Sequence, residues 1–326
     1  MSQITYLEAI RCAMREEMKR DKNVFLMGED IGIYGGAFRA TEGLYKEFGK
    51  ERVIDTPISE SAIVGAAIGA SLLGMRPVVE MQFADFISCA FDQIVNQAAT
   101  MRYRHGGKIS VPIVIRGPSG AGIHGAIFHS QSPEAWFIHT PGLKVVVPST
   151  PYDAKGLLKA SIRDDNPVIY LEHKYLYRRI KEEVPKEDFI IPLGKGDIKR
   201  KGDDITLITY GAMVHIALEA SDILQKAGIE TEVIDLRTLS PLDKEMIKKS
   251  VSKTSKVLIL QEDKKTLGIA SEISAFLAEE FFEELDGPII RVTSPDTHVP
   301  FSPPLEEFYL PDVKKTVDAV KKLAAY

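Results

Sequence analysis

Asp55-Thr-Pro-Ile-Ser-Glu60-Ser-Ala-Ile-Val-Gly-Ala-Ala-Ile-Gly-Ala-Ser71 is the stretch on which the reading of the chain turns. A polar turn carrying Pro57 leads into a run of helix length that is apolar on every side. Ser59 is placed to cap its N-terminus. A helix apolar all round is normally buried, and Gly65 and Gly69 would let another backbone approach closely. Glu60 stands at the mouth of this helix. It reads either as a first-turn glutamate favoured by the helix dipole or as a carboxylate held at the edge of a buried interface.

The flanking segments place that helix in an α/β fold. Upstream, residues 4–20 follow helical spacing, and Val24-Phe-Leu-Met-Gly28 reads as a buried strand. Glu29 and Asp30 follow at its C-terminal end, the edge where open α/β sheets bind ligands; a plain polar turn is the other reading. The glycine-rich stretch Ile31–Arg39 lacks the Gly-Lys-Ser/Thr of a phosphate loop. Downstream, strands are predicted at Pro77–Phe83, Val111–Ile115, Leu143–Val147 and Pro167–Leu171. Helices are predicted at Ala90–Arg104, with Phe91, Ile94, Val95, Ala98 and Met101 on one face, and at Tyr152–Ile162. Strands alternating with helices specify a doubly wound, mostly parallel sheet. The charged stretch Lys181–Asp188, with Pro185, marks a boundary, giving expected domains of residues 1–185 and 186–326. In the second domain, strands are expected at Ile205–Thr209, Glu230–Ile234, Lys256–Leu260 and Pro288–Val292.

Length and composition fit two such domains: 326 residues exceed one ordinary core. The net charge of −5 argues against a nucleic-acid partner. No apolar stretch reaches the ~18 residues of a membrane helix. The N-terminal Met-Ser-Gln-Ile-Thr-Tyr lacks the pattern of a signal peptide. Two cysteines, Cys12 and Cys89, make no framework. A cytoplasmic location is expected.

Two further stretches carry candidate chemistry. His124 and His129 lie in Gly122-Ile-His-Gly-Ala-Ile-Phe-His129-Ser-Gln-Ser132, a glycine-rich loop able to bring backbone N–H groups to a ligand. Their spacing is not that of a helical zinc pair, and no cysteine lies near. No Gly-x-Ser-x-Gly elbow supports a serine hydrolase. Ser161-Ile-Arg-Asp164-Asp-Asn166-Pro reads either as a helix end and turn or as an oxygen-donor site for a hard cation.

Taken together, these segments resemble the β subunit of the thiamine-diphosphate-dependent 2-oxo acid dehydrogenases. The matching stretches are Gly28-Glu-Asp, Phe38-Arg-Ala-Thr-Glu-Gly-Leu, Asp55-Thr-Pro-Ile-Ser-Glu, Glu80-Met-Gln-Phe-Ala-Asp-Phe86, Phe128-His-Ser-Gln-Ser-Pro-Glu134, Pro141-Gly-Leu-Lys-Val-Val, Asp153-Ala-Lys-Gly-Leu-Leu, Asp235-Leu-Arg-Thr-Leu-Ser-Pro and Phe308-Tyr-Leu-Pro311. They cover nearly the whole chain in family order. The resemblance implies a pyrimidine-binding domain over 1–185, a transketolase C-terminal-type domain over 186–326, and an α₂β₂ heterotetramer with thiamine diphosphate held between the two kinds of subunit. The Gly-Asp-Gly signature of the family's diphosphate–Mg²⁺ site is absent, which places that half, with its magnesium, on the α subunit.

The resemblance also implies residue roles. Glu60 would hydrogen-bond the aminopyrimidine and favour the tautomer that deprotonates the thiazolium carbon. Gln82 and Phe86 would line the pyrimidine, and Ile58 would touch it through its backbone. His129 would serve proton transfer during reductive acylation of lipoamide. Ile113, Ser161, Ile162, Asp164 and Asn166 would form a structural potassium site. The implied activity is decarboxylation of a 2-oxo acid and acyl transfer to the lipoyl acyltransferase core. The stretches His124–Glu134 and His173–Arg178 are closer to branched-chain enzymes, with pyruvate and acetoin as rival substrates. A docking scaffold without activity is a reading of another class, opposed by the presence of Glu60, Gln82 and His129 together.

Overall fold

Val24–Gly28 is apolar, buried at every position, and forms a central strand, β1. Parallel strands β2 (Val53–Asp55), β3 (Arg76–Glu80), β4 (Val114–Ser119), β5 (Lys144–Val146) and β6 (Val168–His173) join it in the spatial order β2-β1-β3-β4-β6-β5. Strands buried on both faces need crossovers, and helices supply them. The Tyr6–Arg20 helix is opened by a capping box, in which Thr5 accepts from the Glu8 N–H and the Glu8 carboxylate accepts from Thr5. It packs on the Pro151–Arg163 helix. The computed structural model describes residues 2–326.

The Glu60–Leu72 helix departs from expectation. Ser59 occupies the N-cap position, but its hydroxyl donates to the Pro57 carbonyl and caps nothing. Only one face, with Ile63, Val64, Ala67 and Ile68, is buried within the chain. Ala62, Ala66, Gly69 and Leu73 lie exposed, Leu73 at 87 %. The predicted helix over 90–104 is also altered. Gln93–Ala98 winds as a π-helix before the α-helix Ala99–Arg104, and the wider turn breaks the single apolar stripe. Ile94, Ala98 and Ala99 are buried, whereas Phe91 is exposed.

A second unit holds Gly194–Tyr326 together with the loop Gly120–Ala135; the first holds the residues up to Ser119 and Trp136–Leu193. This differs from a break at residue 185. Lys181–Val184 pairs antiparallel with Ser2–Thr5. Lys155 donates to the Pro185 carbonyl, and the Ile191 N–H to that of Gly156, so the chain beyond 185 stays bound to the first unit. In the second unit, β7 (Asp197–Arg200), β8 (Ile205–Thr209), β9 (Thr231–Asp235), β10 (Val257–Lys264) and β11 (Ile290–Ser294) lie in the order β11-β10-β8-β9-β7. All pairings are parallel except β7 against β9. Among the described residues no helix is long and apolar enough to cross a membrane.

Candidate active site

In the first sheet, β2 lies to one side of β1 and β3 to the other. The order of strands reverses there, and the crevice outside their C-terminal ends is the expected ligand site of such a sheet. Gly28, at the end of β1, stands in register with Asp55 and with Glu80. Glu29 follows β1, Gln82 follows β3, and Glu60 opens the helix that follows β2. Chain topology therefore brings Glu29, Glu60 and Gln82 to one sheet edge.

Glu60 is only 9 % exposed. Glu29 beside it is buried as well; burial, then the charge of Glu60, pushes its carboxyl above the usual range, opposed by a hydrogen bond from the Ser59 N–H. Its Oε1 has no hydrogen-bond partner among the described residues. A buried acceptor left unused is costly unless a ligand takes it. A buried carboxylate beside a second negative charge favours its protonated form, which is the direction in which Glu29 is pushed. The sequence alone left Glu29 between a turn residue and a ligand residue, and it misses the pairing with Glu60.

The surroundings fix these groups. Asp55 accepts from the Gly32 N–H at 2.6 Å, and a Cβ at Gly32 would fall 2.3 Å from Asp55 Oδ2, so a larger residue would push aside the carboxylate that anchors the loop to the sheet edge. Gln82 is half-buried, and the half-buried Phe86 ring stands edge-on to Phe83 at 6.1 Å. Ile58 is 83 % exposed, leaving its backbone open on the turn before Glu60. Beneath the crevice, Arg116 binds Glu172 through two hydrogen bonds of 2.5 Å and also pairs with Glu80. Tyr177 donates to Glu172 at 2.6 Å. Burial pushes Glu80 up despite Arg116. This network ties together the ends of β3, β4 and β6, and nothing in local sequence announces it.

His129 lies in the Gly120–Ala135 loop, which belongs to the second unit rather than to the first, as its place in sequence suggested. Gly120 donates to the Gln131 carbonyl at 2.9 Å, closing the loop on itself. A Cβ at Gly125 would sit 2.8 Å from the His129 Cβ, so glycine there sets how close the histidine comes to the turn. His129 is half-buried at the end of a short 3₁₀ turn, Ala126–Phe128. At the C-terminal edge of the second sheet the loop meets Glu262 of β10, which accepts from the Ala121 N–H at 2.7 Å and the Ser132 hydroxyl at 3.2 Å. Glu134 accepts from the Tyr210 hydroxyl at 2.6 Å. Burial, then the charge of Asp263, raises the Glu134 carboxyl to about 8, so it holds a proton at neutral pH. His124 pairs with Glu306, and among the described residues no group of three or more His, Cys, Asp or Glu is arranged to hold a metal ion.

Of the five residues of the expected cation site, four lie on one stretch at the end of the Pro151–Arg163 helix, and Ile113 is bonded to Val168 just beyond it. Val168 donates to the Ile113 carbonyl, and Asp164 N–H to that of Ser161. Asn166 donates twice to Asp164 Oδ1, at 2.9 and 3.0 Å. Arg76 donates to the Ile162 and Asp164 carbonyls at 3.1 and 3.0 Å, and Lys144 pairs with the Asp164 carboxylate. Burial would raise Asp164, but Lys144 and Asn166 hold it below the usual range. Carbonyl and carboxylate oxygens are the donors a hard cation selects, and each carbonyl keeps a second lone pair. The residues fit such an ion in kind, with Arg76 and Lys144 already supplying positive charge there.

Residues 2–179 match the model of the transketolase pyrimidine binding domain, and residues 194–316 that of the transketolase C-terminal domain. The chain is 54 % identical to the 2-oxoisovalerate dehydrogenase subunit beta of Bacillus subtilis (strain 168), over 100 % of both chains. It is 49 % identical to the pyruvate dehydrogenase E1 component subunit beta of the same organism, again over 100 % of both. Among solved structures, a split-gene transketolase, described as an inactive beta4 tetramer, matches with a TM-score of 0.80 at 25 % identity, covering 99 % of this chain and 98 % of that one.

Proposed function

The chain belongs to the β subunits of the 2-oxo acid dehydrogenases, a transketolase-like family, and on that premise we propose that with an α subunit it decarboxylates a 2-oxo acid and passes the acyl group to lipoamide. Thiamine diphosphate, when bound, supplies an acidic ring carbon that adds to the 2-oxo group and stores the electron pair left by loss of CO₂. The residues of this chain govern its protons and position. Glu60 exchanges a proton with the pyrimidine nitrogen, and Glu29 shares its charge. Gln82 and Phe86 line the ring, Phe86 by packing, and the Ile58 backbone contacts it. His129 moves a proton as the acyl group transfers to the lipoyl arm of the acyltransferase core. Diphosphate and magnesium fall to the α subunit. Potassium at Ile113, Ser161, Ile162, Asp164 and Asn166 would brace the turn before β6. The observation that carries the reading is the buried Glu60 at the strand-order reversal, beside a Glu29 oxygen without a partner among the described residues.

Branched-chain 2-oxo acids are the favoured substrates, supported by the higher identity to the 2-oxoisovalerate relative, 54 % against 49 %. The latter value makes pyruvate the second reading. Co-expression with the α chain, then CO₂ release and lipoyl acylation across a substrate panel, tests both. A kcat/KM about tenfold or more above that for pyruvate is expected, given ~1–3 kcal/mol per methylene. A preference for pyruvate would replace the first reading by the second. No thiamine-dependent release from any 2-oxo acid by the assembled pair would overturn the proposal.

A further inference from the structure

The loop that carries His129 is held by one carboxylate 177 residues further along the chain. Glu306 lies on the short helix Pro303–Tyr309 and is 1 % exposed. Its Oε1 accepts from the Gly122 N–H at 3.1 Å, and its Oε2 from the His124 N–H at 3.1 Å. The same Oε2 meets His124 Nδ1 at 2.6 Å. Three donors from one loop thus converge on one buried carboxylate. Ala121, Val299 and Tyr309 pack together as a small apolar cluster, with Ala121 next to Gly122 and Tyr309 on the helix of Glu306.

The backbone between those donors and His129 is strained. His124 and Ala126 both adopt left-handed conformations, with φ of 59° and 58°. Such conformations persist in non-glycine residues only when the surroundings over-determine them. The bonds to Glu306 fall on His124, the first of the strained pair, and on Gly122, two residues before it. The His124 ring, 48 % exposed, is fixed by the carboxylate on its Nδ1 side. Charge-assisted bonds of this kind are the stronger ones.

We propose that Glu306 is a positioning residue: its carboxylate locks the strained His124–Ala126 turn and so fixes where His129 presents its ring to the lipoyl arm. The inference rests on the role given to His129 above. Loss of the lock lets the turn relax, and misplacement by an ångström suffices to slow a positioned proton transfer by up to about a hundredfold.

The test uses the assembled enzyme with its α subunit and a lipoylated acyltransferase domain. Glu306→Gln keeps the volume but loses the charge and one acceptor oxygen. It is expected to lower kcat for lipoyl acylation by about tenfold or more, with KM for the lipoyl domain little changed. Decarboxylation with an artificial electron acceptor should fall far less. Glu307→Gln, on the exposed side of the same helix, should match wild type. His129→Ala and the double variant complete a cycle. If Glu306 acts through His129, adding Glu306→Gln to His129→Ala costs nothing further. Independent, multiplying losses would overturn the proposal, as would wild-type acylation by Glu306→Gln. Wild-type acylation by His129→Ala would instead remove the role of His129. Should Glu306→Gln fail to assemble, Glu306→Asp, which retains the charge but withdraws it by one methylene, is read by the same cycle and outcomes.

Discussion

Replacing Glu134 by glutamine should stabilise the chain, and increasingly so as pH rises. Glu134 is buried against the second sheet, with Asp263 and Glu262 as charged neighbours and the Tyr210 hydroxyl donating to Oε1 at 2.6 Å. Its carboxyl is raised from the ordinary 4.5 to about 8. The folded chain therefore keeps a proton that the unfolded chain releases above pH 4.5. This contribution to stability is fully present below pH 4.5, declines as pH rises, and is gone above about pH 8. Each pH unit in that window is worth ~1.4 kcal/mol, so about 4 kcal/mol is at stake by pH 7.5, and about 2–4 once Asp263 shares the effect. Glutamine retains the acceptor for Tyr210 and cannot ionise. The variant and the wild type should unfold alike in urea near pH 5, with the variant ahead by about 2–4 kcal/mol at pH 7.5. Difference infrared spectra at neutral pH should show a carboxylic-acid band lost in the variant. A stability difference that stays constant between pH 5 and 8 would refute the reasoning.

Other residues give sharper outcomes in the assembled enzyme. Glu60→Gln should still assemble with the α subunit, while NMR in deuterated water shows proton exchange at the cofactor's thiazolium carbon slowed by ~10²-fold or more; exchange at the wild-type rate would remove Glu60 from the chemistry. A Cβ at Gly69 meets nothing within 4 Å, so Gly69→Leu should leave the isolated chain as stable as wild type yet weaken assembly by ~1–3 kcal/mol or more, read by light scattering with the α subunit. Normal assembly would mean that this face is not covered. Arg116→Met strands the buried Glu80 and Glu172 carboxylates and should cost ~3–5 kcal/mol at neutral pH, less in acid; an unchanged urea midpoint at pH 7 would show that the carboxylates do not depend on Arg116.

The fold was legible wherever local pattern and burial agree. Val24–Gly28 is a continuous apolar run and Ile205–Thr209 a short stretch rich in β-branched residues, and both are interior strands. Val53–Asp55 escaped notice, since three residues cannot display a period. The π-helical turn at Gln93–Ala98 was invisible because an apolar helix reads alike at either pitch. In the crevice, Glu60 stood out as a carboxylate opening an apolar run, and Glu29 as a polar residue closing a strand. Glu134, Glu262 and Glu306 gave no signal. Their partners at Tyr210, Ala121 and His124 lie 76, 141 and 182 residues away. The loop holding His129 was assigned by its neighbours in sequence, whereas its backbone donors are spent on acceptors in the second unit.

That remoteness has a consequence in time. A ribosome adds about 5–20 residues per second, so His124 waits roughly 10–35 s for Glu306 to be made. The Ala121–Glu262 bond has to wait nearly as long, whereas the six parallel strands β1 to β6 are all made once His173 has emerged. The nascent chain can thus build the crevice around Glu60 well before the histidine loop can take its final shape. Long-range contacts of this kind are also the slow ones in refolding. The two halves to which the proposed roles of Glu60 and His129 belong would then mature in that order, and a chain released early would carry the first without the second.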